Sequence, residues 1–379
     1  MRILIATGIF EPETGGPATY APLLAAKLVE AGHRAKVLTY VSKTNGEPAS
    51  YPFKVVRVVR TGNKIKDRID YFRAAYRELR GYDLVYTLDW FAAGLPVALA
   101  ARLRRVPYVV RVGGDYLWEQ RYLESNEPPL TLKEFYERGL HRRLEYRLAY
   151  VLIRSVLRGA AHVIFNSDKQ RELYERHYGL KKERVSTIYN PVLRAGRTGR
   201  GSPSKEFVFW GRFIAMKNLA KLIRAFGDAD LSDDFTLTLI GDGPRLFELE
   251  DLTYELGLEK CVSFVPTMSR TDVLERVQNS RATILPSWTD ISPNQVYEAI
   301  AIGLPALVTK ENYLSIADRL PATVDPHSLE DIAEKIKMLA DDAKYEMFAK
   351  KFSAISFAHS WEDVLREHVA VFKRIIQSA

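Results

Sequence analysis

Thirteen short apolar runs, mostly continuous and rich in β-branched residues, recur along the chain between longer stretches of helical periodicity. An alternating run marks a strand with one wet face. A continuous run marks a strand covered on both faces, the kind found in parallel sheets with helices above and below. In the first half these runs fall at residues 3–7, 35–40, 55–58, 84–87, 108–112, 162–166 and 185–188. Segments between them, such as 18–31 and 68–80, repeat apolar residues at helical spacing, so strand and helix alternate. Residues 194–204 are polar and rich in Gly, Ser and Arg, as an interdomain linker is. The pattern then restarts at 207–210, 237–240, 262–265, 283–285, 306–308 and 322–324. Two successive doubly wound units are expected, with a ligand in the cleft where the carboxyl ends of both sheets face each other.

With 379 residues the chain exceeds what one core comfortably supports, which agrees with two domains. Hydrophobic residues make up 47% and charged ones 27%, and this excludes wholesale disorder and a polytopic membrane protein. The apolar stretch 91–101 has eleven residues, against the roughly 20 that span a bilayer. The start, Met1-Arg2-Ile3-Leu4-Ile5-Ala6, lacks the plan of a signal peptide and is expected as a buried strand. Cys261 stands alone, so an internal disulfide and a cysteine-based metal site are excluded, and a reducing, cytoplasmic setting is expected. The seven histidines show no ligand spacing, and no metal is expected.

Several turns carry chemistry. After the first run, Gly15 and Gly16 precede a helix whose N-terminal amides can meet an anion. The spacing is not the GxGxxG of a dinucleotide fold. In the second half, Gly211-Arg212 followed by Lys217-Asn218 can aim two cations at one pyrophosphate, the arginine through forked hydrogen bonds and the lysine as a mobile charge. Gly241-Asp242-Gly243-Pro244 closes the next run in a tight turn. Pro286-Ser287 leads to Asp290, and Glu298 follows eight residues later on a helix ended by Gly303-Leu304-Pro305. On one helix that spacing rises about 12 Å, too far for the paired carboxylates of a glycosidase. Two separate hydrogen-bonding jobs fit better, one on ribose and one on a sugar ring.

Taken in order, these elements, with Gly32-His33 and Ser360-Trp361-Glu362, resemble glycosyltransferase family 4 over nearly the whole chain. The resemblance implies an α/β protein of the GT-B fold, two Rossmann-like doubly wound domains facing each other across a cleft. It implies residues 1–192 as the acceptor-side domain, 193–204 as the linker, 205–360 as the donor-binding domain, and 361–379 packed back on the first. The activity implied is retaining, metal-independent, hexosyl-type transfer from a nucleotide sugar to an acceptor hydroxyl. Arg212 and Lys217 would neutralise the donor diphosphate, Glu298 would bind the ribose, and Asp290 would touch the transferring sugar. Asn294 and the neighbouring amides would contact sugar or phosphate, with Gly241 beside them. Gly15 and Gly16 would lie by the diphosphate. No cofactor beyond the donor substrate is implied.

Three departures from the family pattern bear on specificity. Asp290 replaces the usual Glu. Ile291-Ser292-Pro293-Asn294 replaces a glycine-rich loop, and Pro293 has no N–H. Arg111-Val112-Gly113-Gly114-Asp115 stands where many members carry His, so Asp115 is a candidate for acceptor activation. A DxD-like triplet, Asp228-Ala229-Asp230, falls in a polar loop and is expected at the solvated surface.

Charge is uneven. Through Asn190 the chain holds 32 Lys+Arg and 20 Asp+Glu; the remainder holds 23 and 27. Basic, aromatic segments at 64–80 and 133–158 suggest peripheral contact with an anionic membrane on the inner face, and an acceptor that is a lipid-linked or cell-envelope glycan. A solvated basic surface over ordinary core is the competing reading. A sugar-nucleotide epimerase and a sugar-nucleotide-binding subunit without catalysis remain alternatives. No nucleic-acid-binding pattern is present, so nucleic acid is not an expected partner.

Overall fold

The computed structural model describes residues 1–13, 15–42, 50–124, 129–192, 204–291 and 293–378. The chain divides into two compact units. The first comprises Met1–Trp118, Tyr136–Tyr189 and Trp361–Ala379; the second comprises Glu119–Phe135 and Asn190–Ser360. The proposed linker 193–204 lies, apart from Ser204, outside the described residues.

In the first unit the elements follow in the order β1 (Arg2–Thr7), α1 (Gly16–Glu30), β2 (Arg34–Val41), β3 (Lys54–Val59), α2 (Lys64–Glu78), β4 (Leu84–Thr87), α3 (Gly94–Arg104) and β5 (Tyr108–Val112). The chain continues through α4 (Tyr116–Glu124), α5 (Leu132–Glu137), α6 (Leu144–Gly159), β6 (His162–Phe165), α7 (Asp168–Tyr174) and β7 (Val185–Thr187). All seven strands run parallel in the order β3-β2-β1-β4-β5-β6-β7. The direction of winding reverses between β1 and β4. Continuous apolar sequence is what such strands need: Ile3, Leu4, Ile5 and Ala6 of β1 are all fully buried.

The second unit repeats the plan. Its elements are β8 (Glu206–Arg212), α8 (Leu219–Asp228), β9 (Thr236–Asp242), α9 (Leu246–Glu255), β10 (Val262–Val265), α10 (Arg270–Val277), β11 (Ala282–Leu285) and α11 (Asn294–Ile302). After these come β12 (Ala306–Thr309), β13 (Thr323–Val324), α12 (Leu329–Ala340) and α13 (Asp342–Ser353). Six parallel strands lie in the order β10-β9-β8-β11-β12-β13, with the reversal between β8 and β11.

The last helix, α14 (Trp361–Ser378), belongs to the first unit. Its amphipathic repeat buries Val364, His368, Phe372 and Ile375. Tyr86 Oη lies 2.8 Å from His368 Nε2, while His368 Nδ1 donates to the Val364 carbonyl at 2.7 Å. One buried ring thus ties the helix to β4.

The basic stretch 133–158 is interrupted where Gly139 takes a left-handed φ of 70° between α5 and α6. Residues 119–135 group with the second unit. The Leu132 amide donates to Thr289 Oγ1 at 2.8 Å, and Glu134 Oε2 lies 3.3 Å from His327 Nε2.

Candidate functional site

In the second unit the predicted donor residues gather at the carboxyl ends of β8 and β11, beside the point where winding reverses. That edge is where doubly wound sheets hold ligands. Arg212 is the last residue of β8, exposed, opposite Asp242 in the β9 register. A short 3₁₀ turn, Ala215–Lys217, and Asn218 at φ 58° then lead into α8. Asn218 Nδ2 donates to the Pro286 carbonyl at 3.1 Å, and the Trp288 amide donates to the Met216 carbonyl at 3.0 Å. The loop after β8 and the loop after β11 are therefore laced together by backbone as well as by side chain.

The charged contact between these loops joins Lys217 Nζ to Asp290 Oδ1 at 2.5 Å. Asp290 is 5% exposed, and its Oδ2 is buried with no hydrogen-bond partner among the described residues. The loop backbone also holds it, since the Asp290 amide donates to the Glu311 carbonyl and its carbonyl accepts from the Tyr313 amide at 2.8 Å. Asp290 thus anchors the lysine, and the two expected free cations become one held ammonium and one exposed guanidinium.

Glu298 lies inside α11, 8% exposed. Its Oε2 accepts from Trp210 Nε1 at 2.9 Å, and its Oε1 pairs with Arg270 Nε at 2.7 Å. No sequence motif marks either neighbour. An indole at a strand end, needing a partner for its one donor, was the available signal for Trp210; Arg270 had none. Asn294 opens α11 at the surface, and its Oδ1 accepts from Asn190 Nδ2 at 3.0 Å. Pro293 precedes it as the N-cap, while Ser292 lies outside the described residues. Gly241 has φ 148°, and a Cβ there would run into the Gly211 carbonyl oxygen. Close approach of β8 and β9 accounts for that glycine.

In the first unit, Gly15 caps α1 at φ 152°, where a Cβ would come within 2.6 Å of Ile9 Cδ1. A Cβ on Gly16 would meet nothing within 4 Å, so the space beside that residue is open.

Asp115, the candidate for acceptor activation, lies in the interior of the first unit. It has no exposed surface. Tyr136 and Tyr174 hydroxyls donate to Oδ2 at 2.6 and 2.5 Å, and the Trp118 amide donates to Oδ1 at 2.9 Å. Burial pushes the Asp115 carboxyl pKa up, opposed by those tyrosine and amide hydrogen bonds. Gly113 and Gly114 carbonyls accept from Asn166 Nδ2 and Gln170 Nε2 at 3.5 and 3.0 Å. The DxD-like Asp228 and Asp230 are exposed at the end of α8. Among the described residues, no three His, Cys, Asp or Glu side chains gather into a metal-ligand set.

Residues 15–191 match the family model for a glycosyl transferase 4-like domain, and residues 196–353 match that for glycosyl transferases group 1. The chain is 25% identical over 343 residues to D-inositol 3-phosphate glycosyltransferase of Paenarthrobacter aurescens, covering 80% of this chain and 78% of that one. Its fold is similar to sucrose-phosphate synthase from Thermosynechococcus elongatus, with TM-score 0.76, 17% identity and complete coverage of both chains. It is also similar to HepE of Anabaena in complex with UDP-glucose, with TM-score 0.67, 19% identity and coverage of 99% and 98%. Two parallel six- and seven-stranded units, two adjacent family matches and a strand-edge cluster of cations and carboxylates lead to one conclusion: the chain belongs to glycosyltransferase family 4, with the GT-B fold, and is a glycosyltransferase that moves sugar from a nucleotide sugar to an acceptor.

Proposed function

We propose that the protein is a retaining, metal-independent hexosyltransferase whose acceptor is a lipid-linked or cell-envelope glycan at an anionic membrane surface. The observation that carries the donor half is the convergence of Arg212, the Lys217–Asp290 pair and Glu298 at one strand edge. Breaking the anomeric C–O bond sends its electron pair to a diphosphate oxygen. A guanidinium and a held ammonium beside that oxygen stabilise the separated state more than the bound donor. The acceptor oxygen forms the new bond on the face the leaving group vacates, and its proton passes to the departing phosphate. Asp290 holds Lys217 in place, and Glu298 accepts from ribose hydroxyls.

The acceptor half rests on α6. Leu144, Leu148 and Val151 are 86%, 73% and 53% exposed and fall on one helical face, with Arg147 and Arg158 exposed beside them. Ile65 of α2 and Leu103 of α3 are likewise exposed, at 73% and 60%. Apolar side chains framed by arginines suit the headgroup region of an anionic bilayer. No helix among the described residues is long and apolar enough to cross a membrane.

The test has two steps. UDP-, GDP- and ADP-sugars are screened for thermal stabilisation, which reports binding by mass action. The stabilising donor is then incubated with lipid-linked acceptors, and the anomeric configuration of the product is read by NMR. Net retention without added metal is expected. Inversion of configuration, or turnover abolished by chelator, would refute the reading.

A further inference from the structure

Glu298 is the carboxylate assigned above to the ribose, and both of its oxygens already have protein neighbours. Trp210 Nε1 donates to Oε2 at 2.9 Å from the end of β8, and Arg270 Nε pairs with Oε1 at 2.7 Å from the first turn of α10. Glu298 itself projects from α11. Three separate elements thus meet on one carboxylate. The terminal torsion of a glutamate is broad and roughly two-fold, so a carboxylate with one anchor pivots. Anchors on both oxygens, from different directions, fix its plane.

A carboxylate offers about four lone-pair positions, of which these contacts take two. The remaining two keep a set direction. That matches a vicinal diol, whose two hydroxyls are also held at a set spacing by adjacent ring carbons. Trp210 is 8% exposed and packs in the core of its unit, so its N–H is a rigid donor. The Arg270 side chain is 42% exposed, against 10% for that of Glu298.

We propose that Trp210 and Arg270 are positioning residues that lock the Glu298 carboxylate so that the site reads both ribose hydroxyls of a nucleoside diphosphate and discriminates against the 2′-deoxy form. This rests on the donor-site reading above. A site built to hydrogen-bond a hydroxyl rejects the analogue lacking it, because its own acceptor is left without a partner. Loosening the acceptor weakens that rejection.

The experiment measures Kd by calorimetry for UDP, GDP and ADP and for the 2′-deoxy form of each, on the full chain and on Trp210→Phe, Arg270→Ala, Arg270→Lys and Glu298→Gln. Wild type should prefer the ribonucleotide that it binds by at least tenfold, and Glu298→Gln should erase the preference. Trp210→Phe and Arg270→Ala should each cut the preference at least threefold while changing the Kd of the deoxy form less than twofold. Arg270→Lys, which keeps the charge, should retain more of it than Arg270→Ala. A merely structural role would weaken both nucleotides alike and leave the ratio untouched. Should the ratio survive in Arg270→Ala and Trp210→Phe but vanish in Glu298→Gln, the positioning claim is overturned and the donor site stands. Should none of the six nucleotides bind wild type, the donor-site reading itself is overturned. Arg270, being partly exposed, supplies the deciding variant if Trp210→Phe does not fold.

Discussion

Lys217 Nζ sits 2.5 Å from Asp290 Oδ1, and the Asp290 side chain is only 7% exposed. A lysine so placed cannot wander as a surface lysine does. Removing one member of a buried pair leaves the other charge without compensation, at a cost of about 3 kcal/mol. Lys217→Ala should therefore lower both stability and turnover. Adding Asp290→Asn to it should restore the denaturation midpoint but not the turnover. Recovery of turnover in the double variant would show that the ammonium does not serve the reaction.

Arg212 gives the complementary case. It is exposed, so its loss should change stability by less than about 0.5 kcal/mol. Its charge-assisted contact to a diphosphate is worth about 1.5–3 kcal/mol, so Arg212→Ala should cut turnover at least tenfold. Thermal melting and initial rates on the same preparation separate the two effects. Wild-type rates would remove Arg212 from the site.

Gly241 is held by packing. Its φ of 148° and the Gly211 carbonyl against the Cβ position leave no room for a side chain. Gly241→Ala should destabilise the protein by about 3 kcal/mol, as backbone strain and a clash combine. Urea denaturation followed by far-UV circular dichroism is the check, and an unchanged midpoint would contradict the geometry.

His162 is 2% exposed at the start of β6, with Nε2 2.9 Å from Ser186 Oγ. Burial, with Arg374 adding to it, lowers its pKa from 6.5 to about 4. A base whose folded pKa is depressed is protonated first in the unfolded chain. Its stabilising share is thus present above pH 6.5 and is lost as pH falls toward 4. His162→Gln keeps a polar partner for Ser186 and cannot titrate. The stability gap between wild type and this variant should narrow by on the order of 1 kcal/mol between pH 7.5 and pH 5. A gap independent of pH would refute the assignment.

On α6, Leu144→Glu combined with Leu148→Glu alters two side chains that are 86% and 73% exposed. The melting temperature should stay within a few degrees, while flotation with phosphatidylserine vesicles should fall at least fivefold. Equal absence from anionic and neutral vesicles in the wild type would rule out the membrane face.

The strands were legible because burial on both faces writes itself into sequence as continuous apolar runs. Residues 3–7 and 108–112, read from pattern, became Arg2–Thr7 and Tyr108–Val112. The turns at Gly211-Arg212 and Asp290 to Glu298 were legible too, because each sits where a strand stops and a helix starts. Less visible was the break at Gly139, since a basic amphipathic pattern continues across it on both sides. The surroundings of Asp115 were hidden for a different reason. Its neighbours in sequence are glycines, whereas its partners Tyr136 and Tyr174 lie 21 and 59 residues away.

Local periodicity and turn chemistry determined, from sequence alone, that this chain builds two parallel α/β units and brings its cations and acids to strand ends. Both are short-range properties: a residue's side of a strand, or the φ that a glycine permits, depends on near neighbours. Which carboxylate meets which cation was decided only by tertiary structure. Lys217 pairs with Asp290 across 73 residues, and Glu298 with Trp210 across 88, through the lateral order of β8, β9 and β11 rather than through distance along the chain. The charge of a side chain is written in its identity, but whether that charge is spent on the protein or left for a ligand depends on what the fold places beside it.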